Sequence, residues 1–121
     1  GNPSFLALRP ADSAETSVAW KMALENKNTP TGLILSRQNI KDIPAMGASR
    51  YKEALAAEKG GYLVKKVDNP DVVLIANGSE VSTLIAAAAI LESENGLKVN
   101  IASVISEGVF RLQSKEYQNS I

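Results

Sequence analysis

The chain contains no cysteine and no histidine. Without cysteine there is no disulfide, no thiolate nucleophile and no cysteine zinc site, while the redox compartment stays open. Without histidine the chain lacks the usual general base near neutral pH and the commonest transition-metal ligand. Chemistry here would have to use carboxylates, lysine, tyrosine or a borrowed cofactor. Aromatic residues make up only 5%, too few to suggest a stacking platform for single-stranded nucleic acid. Charge of one sign is also missing: thirteen Lys and Arg balance thirteen Asp and Glu, so no long-range field draws in nucleic acid or an anionic membrane. The longest apolar run, Leu84 to Leu91, is too short to span a bilayer, and no charged-then-apolar leader opens the sequence. A soluble, cytoplasmic protein is expected.

What is present suffices for a folded core: 121 residues, the length of one ordinary domain, with 45% hydrophobic content. The most telling stretch is Gly32 to Asn39. Leu33, Ile34 and Leu35, entered through Thr29-Pro30-Thr31-Gly32, read as a buried strand of a parallel sheet. Ser36, Arg37, Gln38 and Asn39 then fall at the strand's carboxyl end, the edge where open α/β sheets bind ligands. Arg37 is a candidate anion ligand there, since a guanidinium grips phosphate or carboxylate bidentately. The competing reading is a structural arginine tying loops together.

Upstream, Ser4 to Leu8 reads as a strand ended by Arg9-Pro10. Asp12 followed by Glu15 has the spacing of a helix capping box. The helix runs to about Asn26, with Ala14, Val18 and Met22 on one face and Ala19 and Ala23 beside them. Strand, helix and strand make a βαβ unit with parallel strands. One helix covers only one face of such a pair, so the unit is expected to be the tail of a larger sheet. Ser49 to Lys59, alanine-rich and charged, reads as a surface helix in an interdomain connector ended by Gly60-Gly61.

Beyond it, Gly61 to Val67 and Val72 to Ala76 read as strands paired antiparallel in a hairpin across Asp68-Asn69-Pro70-Asp71. A helix from Val81 to Glu94 stops at Gly96, and Lys98 to Ser103 is the parallel return strand. Glu107 to Ile121 is helical in its middle. The expected fold class is α/β: two partial βαβ units, the second a parallel or mixed sheet with one antiparallel strand, joined by a linker. Two incomplete pieces suggest a segment of a larger protein.

Among lesser candidates, Arg9 follows the first strand and either faces the same crevice as Arg37 or pairs with Asp12 or Glu15. Asp12 and Glu15 fit a cap better than an acid/base pair. Asn77-Gly78-Ser79-Glu80 lacks a phosphate-loop lysine and a dinucleotide glycine pattern, and fits a tight strand-to-helix turn. Tyr62, Lys65 and Lys66 read as strand residues with a solvated face, and Trp20 as packing or equally as a contact with a missing domain.

These residues carry a resemblance. Arg9-Pro10-Ala11-Asp12 with Glu15, Ala19-Trp20-Lys21 and Leu35-Ser36-Arg37-Gln38-Asn39 resemble transketolase. The likeness continues through Lys59-Gly60-Gly61-Tyr62, Asp71 to Ala76, Gly78-Ser79-Glu80-Val81 and the spacing of Phe110, Gln113 and Tyr117, so it covers essentially the whole chain. The resemblance implies a thiamine-diphosphate- and magnesium-dependent homodimer that moves a two-carbon ketol unit between sugar phosphates. Residues 1–44 would be the carboxyl-terminal βαβ portion of its pyrimidine-binding domain. Residues 45–60 would be the interdomain linker helix, and 61–121 the start of its carboxyl-terminal domain. Arg37 would bind the substrate's phosphate. No catalytic, cofactor-binding or metal-binding residue carries over, so the segment would be inactive alone, and its bare sheet would self-associate. The family's Ser-Leu-Pro-Ser is replaced by Ser103-Val104-Ile105-Ser106, and Gly108 stands where aspartate is common. A dihydroxyacetone synthase segment and a non-catalytic α/β interaction or regulatory module are the alternatives.

Overall fold

The computed structural model describes residues 5–36 and 40–121. Strands β1 (Leu6–Leu8) and β2 (Thr31–Leu33) pair in parallel, with Leu6 opposite Thr31 and Leu8 opposite Leu33. Helix α1 (Ser13–Glu25) makes the crossover. Its start is fixed by Asp12, whose carboxylate accepts the Glu15 N–H at 2.9 Å. Val18 and Ala19 of α1 are buried with Leu8. At its far end the Asn26 amide donates to Thr29 and Thr31 hydroxyls at 2.8 and 2.9 Å, turning the chain directly into β2. The expected βαβ unit is therefore present.

The expected strand over Leu33–Leu35 is displaced. Regular pairing ends at Leu33, and Ile34 and Leu35 are 43% and 53% exposed. The reason is one-sided cover: α1 packs against Leu6 and Leu8, while the opposite face carries Phe5, Ala7 and Gly32. Phe5 itself lies across Gly32, where an added Cβ would come within 2.6 Å of its ring.

The connector is held by its own polar groups. Ser49 caps α2 (Arg50–Ala54), and Glu53 accepts the Met46, Gly47 and Ala48 N–H groups at 2.9–3.0 Å. A 3₁₀ helix (Leu55–Lys59) follows and ends at Gly60, whose φ of +87° a side chain would resist. The surface-helix expectation needs correcting here. Ala54 and Ala57 are fully buried, because the small side chains let the connector pack closely on α1. Lys21 of α1 pairs with Glu58 across this contact.

In the second sheet the expected β3–β4 hairpin is absent. The order is β3 (Tyr62–Lys65), β5 (Val99–Ser103), β4 (Val72–Ala76). β5 runs parallel to β4 and antiparallel to β3, so it occupies the centre. All five of its residues are buried, as a central strand requires. The Asp68–Asp71 segment, with Asn69 at φ +51°, instead carries the chain past β5. Asp71 is anchored to Lys98 by paired bonds of 2.8 Å. Helix α3 (Glu80–Asn95) bridges β4 and β5, ending at Gly96 with φ +65°. The mixed sheet with one antiparallel strand is thus as expected, with a different neighbour for that strand.

Two short helices, α4 (Glu107–Arg111) and α5 (Lys115–Asn119), close the described chain. Ser106 caps α4, and the Tyr117 hydroxyl donates to Gly61 O at 2.7 Å. Leu8, Val18, Val64, Val81 and Ile101 belong to one buried cluster, so both sheets share a core.

Candidate functional site: a cleft at the strand ends and a buried ion cluster beside it

The carboxyl ends of β1 and β2 open onto a cleft of about 180 Å³. Arg9, Pro10, Ile34, Leu35 and Ser36 form one wall, and Asn77 to Glu80 form the other. One backbone bond, from Gly78, ties the walls together, and a second anchors Arg9 to the segment after β5. The Arg9 N–H donates to Ile105 O at 2.9 Å, and the Gly78 N–H donates to Arg9 O at 3.1 Å. The side chain of Arg9 is exposed at the rim. Arg37, the leading sequence candidate, lies outside the described residues, as do Gln38 and Asn39.

The Asn77–Glu80 turn behaves as a turn. Gly78 adopts φ +56°, and the Glu80 and Val81 N–H groups donate to Asn77 O and Gly78 O at 3.3 and 3.2 Å. With Gly78 already bonded to Arg9, these amides are not offered to a phosphate.

Joined to the cleft by the backbone of Arg9 to Asp12 lies a cluster whose members fall far apart in the sequence, in a cap, the connector and a strand. Arg50 donates to Asp12 Oδ2 through Nε at 2.7 Å, and to Glu15 Oε2 and the Tyr62 hydroxyl through Nη2 at 3.2 and 2.6 Å. Tyr62 in turn donates to Glu15 Oε2 at 2.7 Å. Glu15 Oε1 accepts the Ala11 N–H at 3.1 Å, and Asp12 Oδ2 accepts the Ile43 N–H at 3.0 Å. Asp12 is therefore the expected cap, while Glu15 reaches to Ala11 and into the core rather than back to the cap residue.

Tyr62 corrects the solvated-face reading: it is 3% exposed. Period-two alternation puts it beside Val64, also buried, and opposite Leu63 and Lys65. Lys65 extends outward to Glu92 and to Val99 O, Lys66 is exposed, and Trp20 is 53% exposed rather than packed. Arg50 left no trace in sequence patterning, because its partners are distant in the chain.

Burial dominates the electrostatics. It pushes the Glu15 carboxyl above its ordinary range, against Tyr62, Ser103, Ala11 and Arg50, which all favour the anion. The Tyr62 hydroxyl is pushed up by burial and then by the neighbouring Glu15. For Arg50, burial opposes the charge, but Asp12 and Tyr62 outweigh it and the guanidinium stays cationic. A buried cation held by two buried carboxylates keeps its net cost down only while all partners remain.

Among the described residues no group of three or more carboxylate, histidine or cysteine side chains could hold a metal ion. Asp12 and Glu15 are occupied by Arg50 and Tyr62, so this cluster does not fit a magnesium–diphosphate group. No helix of the described residues is long and apolar enough to cross a membrane.

Parallel strands opening onto a polar cleft, backed by a mixed sheet, define an open-sheet α/β protein. The family described as the transketolase-like C-terminal domain matches residues 60–121. Transketolase of Bacillus subtilis is 44% identical over 98% of this chain and 18% of its own length. A solved transketolase variant from Pichia stipitis, in complex with fructose 6-phosphate, superposes with a TM-score of 0.85 at 39% identity, over 98% of this chain and 17% of that one. A split-gene transketolase, an inactive β4 tetramer, matches at a TM-score of 0.67 and 25% identity, over 86% of this chain and 31% of that one. The chain belongs to the transketolase family. It spans less than a fifth of the Bacillus and Pichia relatives.

Proposed function

We propose that this chain is part of a transketolase, a transferase that moves a two-carbon ketol unit between sugar phosphates in the pentose phosphate pathway. The observation that carries the reading is a likeness extending over 98% of the chain in both sequence and structure. The Pichia neighbour is a complex with a sugar phosphate, which supports that substrate class. Residues 1–44 then close the pyrimidine-binding domain, 45–60 link, and 61–121 open the carboxyl-terminal domain. The family match beginning at residue 60 and the left-handed Gly60 support that last boundary.

The whole enzyme is a cytoplasmic homodimer using thiamine diphosphate and magnesium, which would supply the carbanion chemistry. On this reading the residues that hold those groups lie elsewhere in the enzyme. The segment is inactive alone. By itself it self-associates, a reading supported by the exposed Phe5, Ile34 and Leu35 beside β1 and β2 and by the homotetrameric split-gene relative.

Arg37 is the residue that grips the substrate's phosphate, and the three residues before it line the cleft. The test is Arg37→Ala in the full-length enzyme, assayed with phosphorylated and unphosphorylated donors. Loss of a charge-assisted contact of ~1.5–3 kcal/mol should lower kcat/KM for the phosphorylated donor by roughly 10- to 150-fold. The unphosphorylated donor should be nearly unaffected. Equal losses for both would mean that Arg37 is structural.

A further inference from the structure

The buried cluster and the cleft are joined by a very short stretch of backbone. Arg9 accepts the Gly78 bond that ties the cleft walls and donates to Ile105 O beyond β5, and Ala11, two residues on, donates to Glu15 Oε1. Between them stands buried Pro10, whose ring fixes one of the two soft torsions at that residue. A displacement at Ala11 therefore passes to Arg9 with little room to relax. On its other side Glu15 is held by Tyr62 of β3, a strand of the second sheet, and by Arg50 of the connector.

We propose that Tyr62 is a positioning residue for the cleft: through Glu15 it holds the Arg9 wall in register with the Asn77–Glu80 wall. The device is a latch between the two sheets, made of one hydroxyl, one carboxylate and the backbone of residues 9–11. It does not depend on which ligand the cleft takes, and so stands apart from the transketolase reading. The charged groups around it are Arg50 and Asp12 directly, with Asp42 and Glu53 acting on Arg50. The fully buried Ser103 hydroxyl of β5 is the remaining polar neighbour of Glu15.

The test is residue-resolved amide hydrogen exchange by NMR on the 121-residue chain, comparing the parent with Tyr62→Phe. The substitution removes the hydroxyl and keeps the ring. The Arg9 and Gly78 amides should exchange at least tenfold faster, while the β5 amides change by no more than a third of that. Lys65→Ala, which loosens β3 through its outward ion pair with Glu92, should leave Arg9 and Gly78 unchanged. Should Tyr62→Phe not fold, Glu15→Gln serves instead. With its oxygen kept on the Ala11 N–H, the amide nitrogen, a donor, replaces the oxygen that accepts from Tyr62 and Arg50, and the same two amides should respond. Uniform acceleration across all amides would mean that Tyr62 only contributes to global stability. Unchanged exchange at Arg9 and Gly78 would equally overturn the latch.

Discussion

Replacing Arg50 by methionine tests the electrostatic core directly. Methionine keeps an unbranched stem of similar reach but leaves Asp12 and Glu15, whose side chains are fully buried, facing each other without a cation. The Arg50 side chain is only 12% exposed, so water cannot take over its role. Breaking a buried pair by removing one partner costs about 3–5 kcal/mol. With a urea dependence of ~2 kcal/mol/M for a chain of this size, the midpoint should fall by roughly 1.5–2.5 M.

The sign of the pH dependence follows from Glu15. Its folded-state carboxyl already titrates above the ordinary value because of burial, and Arg50 is one of the groups pulling it down. Without Arg50 it rises further, so the folded variant binds a proton more readily than the unfolded chain. Stability of the variant should therefore increase as pH falls through that raised value, and be lowest above it. The loss relative to the parent should be largest near pH 8 and shrink towards pH 5. Urea titrations followed by far-ultraviolet circular dichroism at both pH values give the measurement. A loss below ~1 kcal/mol that is the same at both would refute the reasoning, because a paired surface arginine behaves that way.

Two further outcomes are expected. Gly60→Ala should cost more than about 2 kcal/mol, since φ +87° strains any side chain and the new Cβ would stand 2.2 Å from Phe110 N and 2.5 Å from Ser106 O. Gly47→Ala, with nothing within 4 Å, should be neutral or stabilising by ~0.4–1 kcal/mol, and thermal melts of both variants check the contrast. In light scattering at high concentration the isolated chain should exceed monomer mass, and Ile34→Lys with Leu35→Lys should lower that mass. A strictly monomeric parent would remove the self-association reading.

The fold was legible in the sequence wherever local chemistry decided it. Asp12 as cap, the apolar face of α1, the parallel return through α3 and the glycine stops at Gly60 and Gly96 all follow from residue type and spacing. What was not legible depended on distant partners. β3 and β4 are adjacent in sequence and separated by a turn-rich segment, but β5 returns through α3 to run parallel beside β4 and takes β3 on its other edge. The helical crossover through α3 sets the parallel neighbour of β4, and adjacency in the chain yields to it. Tyr62 was misplaced because the two lysines after it drew attention to solvent. Its alternation with Val64 was the available signal. Arg50 had none, since its role exists only once α1, the connector and β3 meet. Arg37 was reached by its place after a strand and by resemblance, and lies outside the described residues.

The central position of β5 also bears on synthesis. A ribosome releases the chain from its amino end, so β3 and β4 emerge well before the strand that pairs with each of them. Until Ser103 is out, Tyr62 has no ladder partner and Val72 to Ala76 present an open apolar edge. A nascent chain halted before Val99 therefore displays two unpaired strands with β character, which is the form a holdase chaperone recognises. The last strand of this sheet to be made is the one that makes it a sheet.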